Sequence, residues 1–511
     1  MITLIRTPLI SDIGSFNNEP TPPLGLAYLA GALQRENYNV SVIDATGLNL
    51  DNIERIEGTN LKFCGISAES IVKLIPKDVK IIGISAMFSH EWTYVKYSIK
   101  KIRGAFPDAV IIGGGEHFSA LQEYCLRDCP ELDYICVGEG DETILEFCER
   151  IFSDQPVEGI AGISHLDISG DFVEAIPRKR IRNLDELPWP AWDLFPLKNY
   201  LDRSIGAGAS LGRNMPMMVS RGCPYKCTFC SNVKMWTNRY NLRSVSDVIT
   251  EIKHYIKIYQ ATGIQFYDLT AIVKRKWILE FCEALDRENI KIDWSLPSGT
   301  RSEVLDKETL PALSKANLRY LVYAPESTSP KTLELIKKKI NLDKMIKSLK
   351  IAISSGITVR TNLIIGFPFE RRRDVYKTLM GQVKFILLGV DEAPLFLFQP
   401  YPGTELFDYL CSKNRVHLCD QYFNNLASLS NGNTRPPRET FCENIGRIEL
   451  FIYRIAFMSL GYILSYMVRP KRIFRSFKNI FFTDRSTTVF EQRLKDKIRA
   501  RSKSAPSKGT A

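Results

Sequence analysis

Three thiols lie within eight residues in Ser220-Arg221-Gly222-Cys223-Pro224-Tyr225-Lys226-Cys227-Thr228-Phe229-Cys230, a CxxxCxxC spacing. Thiolates are good ligands for soft iron, and iron–sulfur clusters are held by cysteines packed on short loops. A four-iron cube on three cysteines keeps one iron without a protein ligand. That iron can take a substrate or cofactor, as an open position does on any catalytic metal. Gly222 allows the backbone to bend close to a cluster, and Arg221 and Lys226 are placed to offset its negative charge. Structural zinc wants four ligands, usually in paired CxxC or Cys/His sets. The nearest further candidate, His254, sits on a helix with a complete apolar stripe.

The loop needs a scaffold, and the surrounding pattern supplies one. Met217–Ser220 reads as a strand leading into it. Val245–Tyr259 reads as a helix with Val248, Ile249, Ile252, Tyr255, Ile256 and Tyr259 on one face. Strands follow at Ile264–Tyr267, Asp293–Leu296, Tyr320–Tyr323, Thr358–Ile365 and Pro394–Phe398, with a helix at Lys276–Arg287. About six βα units in roughly 200 residues predict a barrel over 213–410, complete or partial. Residues 1–165 also alternate strand and helix, with strands at Ile2–Ile5, Val40–Ile43, Val79–Ile84, Ala109–Ile112 and Tyr134–Val137. The predicted fold class is therefore α/β, two parallel-sheet units in series. Between them, 166–212 reads as a linker, because Leu187-Pro188-Trp189-Pro190 cannot form regular helix or central strand.

The 511-residue chain carries a net charge of +11, and residues 445–511, with 15 Lys or Arg against 4 Asp or Glu, hold all of it. A near-neutral body argues against a general nucleic-acid surface. Twelve scattered cysteines do not form a disulfide framework, and Met1–Arg6 lacks the pattern of a signal peptide; a cytoplasmic protein is expected. Cys125, Cys129 and Cys136 differ in spacing from the active triad and read as buried thiols.

A CxxxCxxC loop after the first strand of a βα barrel resembles the radical S-adenosylmethionine (SAM) superfamily. In that family the open iron of a 4Fe-4S cluster chelates SAM, which is split reductively to a deoxyadenosyl radical. The resemblance places the cluster on Cys223, Cys227 and Cys230. It continues through Phe229, Phe266-Tyr267-Asp268-Leu269, Ala324-Pro325-Glu326-Ser327, Gly366-Phe367-Pro368-Phe369-Glu370 and Gln399-Pro400-Tyr401-Pro402-Gly403-Thr404. It implies SAM contacts from Phe229, Asp268, Glu326, Gly366, Pro368 and Gln399, and an external electron donor of flavodoxin or ferredoxin type.

The first unit resembles the cobalamin-binding domain that precedes the barrel in one branch of this superfamily. The matching segments are Thr21-Pro22-Pro23-Leu24-Gly25-Leu26, Ile82-Gly83-Ile84-Ser85, Gly113-Gly114-Gly115-Glu116-His117 and Val137-Gly138-Glu139-Gly140-Asp141-Glu142. The implied cobalamin contacts are Pro23, Gly25, Ser85, Gly113, Gly114, Gly115, Glu116, His117, Gly138, Glu139 and Gly140. The DxHxxG motif that supplies a cobalt ligand elsewhere is absent, so the lower cobalt face has no assigned residue. A first strand followed by a Pro-rich segment disfavours a dinucleotide.

These features imply methylation of an unactivated carbon or phosphorus centre in a small-molecule, lipid or natural-product substrate. Cobalamin-linked rearrangement or cyclisation is the alternative, and a non-catalytic iron–sulfur carrier is a third reading that leaves the SAM segments unexplained. The 411–511 region is expected to be helical and basic, with 500–511 disordered. Its uncharged run Ile455–Val468, followed by phenylalanines among Arg472, Arg475 and Lys478, suggests peripheral membrane contact or a helix packed on the barrel.

Overall fold

The computed structural model describes residues 1–15, 20–429 and 432–504. In the first unit, five parallel strands run in the spatial order Val40–Asp44, Ile2–Arg6, Ile81–Ser85, Val110–Gly114, Tyr134–Cys136. Numbered along the chain this is 2-1-3-4-5, a doubly wound sheet. Its connections diverge between Ile2–Arg6 and Ile81–Ser85, where such sheets bind ligands beyond the strand C-termini. The strands are almost continuously apolar because helices cover both faces, among them Leu24–Arg35, Trp92–Ala105 and Asp141–Phe152.

The expected boundary at 165 moves. Ile163–Leu166 and Phe172–Val173 add antiparallel to the edge of this sheet, so the first unit extends to Val173. A small antiparallel sheet of Leu9–Asp12, Leu61–Cys64 and Ile53–Arg55 was not foreseen. The linker is not loose. Trp192 is buried with its indole donating to the Tyr255 hydroxyl at 3.1 Å, and Tyr200 donates to Asp44 at 2.7 Å.

The second unit is an open parallel sheet of six strands: Asn214–Met217, Gly263–Phe266, Asp293–Thr300, Leu318–Glu326, Thr358–Ile365 and Leu395–Leu397. It is the partial form of the predicted barrel. Helix Val245–Tyr259 starts at Ser244, whose hydroxyl accepts from the Asp247 N–H, and ends at left-handed Gln260; it buries Val248, Ile249, Ile252 and Tyr255.

The C-terminal region forms helices Arg447–Val468, Lys471–Phe482 and Val489–Ser504. The first packs beside the barrel helix Arg372–Leu388, with Tyr376 and Tyr453 rings 5.5 Å apart. Of the segment expected to be disordered, 500–504 continue the last helix, and 505–511 lie outside the described residues.

Candidate active site

The cysteine loop is clamped at its base. Ser220–Arg221 pairs antiparallel with Asn241–Leu242, closing the loop that carries all three thiols. The expected strand Met217–Ser220 is thus two elements, a barrel strand ending at Met217 and this ribbon. Gly222 has φ +88°, and a Cβ there would collide with the Arg239 carbonyl. Inside the loop, Cys230 N–H donates to Cys227 O at 3.1 Å, and Asn232 holds Cys223 O at 3.2 Å. Cys223, Cys227 and Cys230 are half-buried, whereas Cys125, Cys129 and Cys136 are core thiols, as expected. Burial raises the Cys227 thiol and pushes Cys230 up to about 12. Among the described residues no three His, Cys, Asp or Glu side chains converge on a single ion. Three partly open thiols on one closed loop suit the separate corners of an iron–sulfur cube.

Asp268 turns its carboxylate to the chain entering the cysteine loop. It accepts from Val219 N–H at 3.1 Å, from Ser220 N–H, and from the Ser220 hydroxyl at 2.5 Å. Burial pushes it up to about 6, against these bonds. It fixes the entry to the cysteine loop. The reason is geometric: the second strand ends beside the first, so a side chain two residues beyond it reaches the neighbouring backbone.

Glu326 ends the fourth strand at φ +64° after a break in register with the fifth. Its carboxylate pairs with Lys338 at 3.0 Å, and both side chains are buried. Lys338 also lies 6.0 Å from the Phe229 ring centre. Burial alone would lower the Lys338 pKa, but Glu326 and Cys227 outweigh it and hold it above the ordinary value. Arg301 stacks 3.7 Å over Tyr225 of the loop, and its Nη1 is buried without a hydrogen-bond partner. Neither cation was found from sequence: Lys338 sits in Lys337-Lys338-Lys339, which reads as a solvated run.

Phe229 packs edge-on against Phe367 at 5.8 Å, and Phe367 meets Phe398 at 5.1 Å. Gly366, at φ +88°, and Phe367 donate their N–H groups to Glu370 at 2.7 and 3.1 Å, with the Thr332 hydroxyl on its other oxygen at 3.1 Å. Burial pushes Glu370 up to about 7. Pro368 is buried, and its carbonyl accepts from Glu443. Gln399 is half-buried, with its carbonyl turned to Tyr401 N–H.

The first unit's glycine loops meet the cysteine loop directly. The Ser231 hydroxyl donates to Glu116, which burial pushes up to about 7. Ser119 accepts from Gly138 N–H at 3.0 Å and contacts Met235 at 3.5 Å. Glu139 is not at an open edge. It pairs with Arg180 at 2.5 Å and Arg221 at 3.2 Å, while Arg221 also holds Asp141 at 2.7 Å. Glu139 is thus an ion-pair partner between units, and Arg221 is neutralised by two carboxylates.

His117 is enclosed. Its Nδ1 faces Ser89 at 3.0 Å and Nε2 faces Cys125 at 3.4 Å, inside a cage of Trp92, Phe118 and Phe423; burial lowers it to about 3. It offers no free imidazole to cobalt. Other positions at these strand ends are open. A Cβ at Gly25 would meet no described atom within 4 Å, and at Gly114 the nearest is 3.9 Å away. Met87 and Phe88, just past the end of strand Ile81–Ser85, are about half exposed. By contrast, Gly113 and Gly115 serve packing, against Phe118 and the Ala86 carbonyl, and Gly140 lies against Leu29. Pro23 caps helix Leu24–Arg35, and Ser85 ends its strand opposite Arg6.

A doubly wound unit set on an open βα sheet with a three-thiol loop defines a two-part enzyme of the radical SAM class. Residues 217–380 match the Radical SAM superfamily and 17–147 match the B12 binding domain. An uncharacterized methyltransferase of Pyrococcus horikoshii is 31% identical over 415 residues, covering 81% of this chain and 83% of that protein. The cytidylyl-2-hydroxyethylphosphonate methyltransferase of Streptomyces wedmorensis is 29% identical, over 76% and 77%. The radical SAM methyltransferase TsrM of Kitasatospora setae, solved with cobalamin and a [4Fe-4S] cluster, shares the fold with a TM-score of 0.63, 16% identity, and coverage of 81% and 78%. The chain belongs to the radical SAM superfamily, in its B12-binding-domain branch, and is a radical SAM enzyme.

Proposed function

We propose that this enzyme is a cobalamin-dependent methyltransferase acting on an unactivated carbon or phosphorus centre of a small-molecule, lipid or natural-product substrate. The observation that carries the proposal is the junction of the two units: glycine loops at the strand ends of the first lie on the loop that bears Cys223, Cys227 and Cys230. A substrate between them would be reached from both sides, with water excluded. The methyltransferase relatives support the same reading.

In this proposal Cys223, Cys227 and Cys230 hold a 4Fe-4S cluster, and Phe229, Glu326 and the turn at Gly366 border SAM. Lys338 and Arg301 are paired with Glu326 and Glu303, and the unpartnered Nη1 of Arg301 is the donor on that side that a carboxylate ligand would take up. Gly25, Gly114, Met87 and Phe88 would hold cobalamin. When bound, these groups supply a carbon-centred radical and a transferable methyl group; the chain's residues orient them and keep the pocket dry. Electrons come from an external flavodoxin- or ferredoxin-type donor, and the enzyme works in the cytoplasm.

Mass balance with SAM labelled on the methyl carbon tests the reaction. A methylase yields S-adenosylhomocysteine, 5′-deoxyadenosine and labelled product. Deoxyadenosine with bound cobalamin but without S-adenosylhomocysteine would replace methylation by rearrangement or cyclisation.

A further inference from the structure

Helix Lys471–Phe482 is built inside out. Its buried residues are Arg472 and Ser476, while Phe474 and Phe482 are 77% and 73% exposed, and Ile473, Phe477 and Phe481 are also exposed. Polar contacts force this orientation. Arg472 donates to Gly389 O at 2.6 Å, Val390 O at 3.1 Å and Ser465 Oγ at 2.6 Å, and pairs with Asp391 at 3.1 Å. Arg475 also pairs with Asp391, and Ser476 donates to Glu491 at 2.6 Å. With the polar side anchored, the aromatic side faces solvent.

The two neighbouring helices also expose apolar side chains. Arg447–Val468 exposes Ile448, Ile452, Ile455, Ile463 and Met467, and Arg372–Leu388 exposes Met380 and Leu387. Exposed lysines are interleaved on these helices: Lys377, Lys384, Lys471 and Lys478 form no ion pair among the described residues.

We propose that these three helices are a docking face for an anionic lipid bilayer, lying in the plane of the interface with the phenylalanines inserted. Charge selects this occupant. Lysines among apolar side chains attract anionic headgroups, whereas a second copy of the chain would set cation against cation, since residues 445–511 carry the whole +11. Helix Arg447–Val468 is long and apolar enough to cross a bilayer, but it is held along the barrel. Leu450 lies against Gly366, buried Arg454 donates to Asn433 O at 2.5 Å, and Ser465 donates to Asp391 O at 3.2 Å.

The test is flotation of the full-length, cluster-reconstituted protein with vesicles of phosphatidylcholine, with and without phosphatidylglycerol. The protein is expected to float with the anionic vesicles and stay behind with the neutral ones. The triple variant Phe474→Ser/Phe477→Ser/Phe481→Ser is expected to bind at least about tenfold more weakly, and Lys471→Glu/Lys478→Glu to lose roughly fivefold or more per site. Both variants are expected to keep wild-type circular dichroism and reductive SAM cleavage, because none of these side chains touches the cysteine loop. Failure of the wild-type protein to float, or equal flotation of the phenylalanine variant, overturns the proposal. So does a wild-type dimer in sedimentation that the phenylalanine variant reduces to monomer, which would assign the face to a second copy.

Discussion

Arg221 grips Asp141 through two parallel bonds, Nη1–Oδ2 at 2.7 Å and Nη2–Oδ1 at 3.1 Å, two residues before the first cysteine of the loop. The pair spans the two units and is buried on both sides. Burial alone would lower the Arg221 pKa; Asp141 and Glu139 outweigh it and hold the guanidinium charged. The cysteine loop and the glycine loops are thereby fixed relative to each other.

Breaking that pair should loosen the assembly. Asp141→Ala removes both bonds of the bidentate pair and leaves the buried guanidinium only Glu139, so destabilisation of about 2–3 kcal/mol is expected. Urea unfolding followed by tryptophan fluorescence reads it, and cluster content per folded protein should fall in parallel. An unchanged midpoint would show that the two units are held together elsewhere.

Gly222→Ala should abolish cluster assembly without unfolding the protein. The added Cβ meets the Arg239 carbonyl and the backbone needs φ +88°. Iron content after anaerobic reconstitution should drop to the level of Cys223→Ala, Cys227→Ala or Cys230→Ala, with circular dichroism unchanged.

Lys338→Met should weaken SAM binding by about tenfold or more at unaltered iron content. It removes a buried cation beside Cys227 and Phe229 and leaves Glu326 unpaired. Equilibrium dialysis with SAM measures the first, iron assay the second. Normal SAM affinity would confine Lys338 to a structural role.

Glu370 sets a pH dependence. Its folded pKa, about 7, lies above that of an ordinary glutamate, so the folded state retains a proton that the unfolded chain has already lost. Stability from this group is complete below the unfolded value and is lost as pH rises toward 7. Wild-type protein should lose on the order of 1–3 kcal/mol between pH 5 and 8 relative to Glu370→Gln, in which the position cannot ionise. Parallel pH profiles of the two proteins would refute the shift.

The sequence by itself determined what short-range chemistry encodes. Three thiols in eight residues specify their ligand chemistry whatever surrounds them. The strand–helix alternation specified two parallel-sheet units, because apolar runs bounded by glycines leave little choice of partner layer. Only the tertiary structure decided which polar groups face a ligand and which face each other. Asp268, Glu139 and His117 stand at strand ends where ligands bind, yet each is consumed by a neighbour: the Ser220 backbone, Arg180 and Arg221, and Ser89 with Cys125. Lys338, hidden in a lysine run, is instead buried against Glu326, 12 positions away. The tail follows the same logic. Its pattern marked an amphipathic helix, but Asp391, far off in the chain, turned the arginine inward and the phenylalanines out. A buried charge takes whatever countercharge the fold brings to it, and that pairing is set by long-range contacts that no local spacing records.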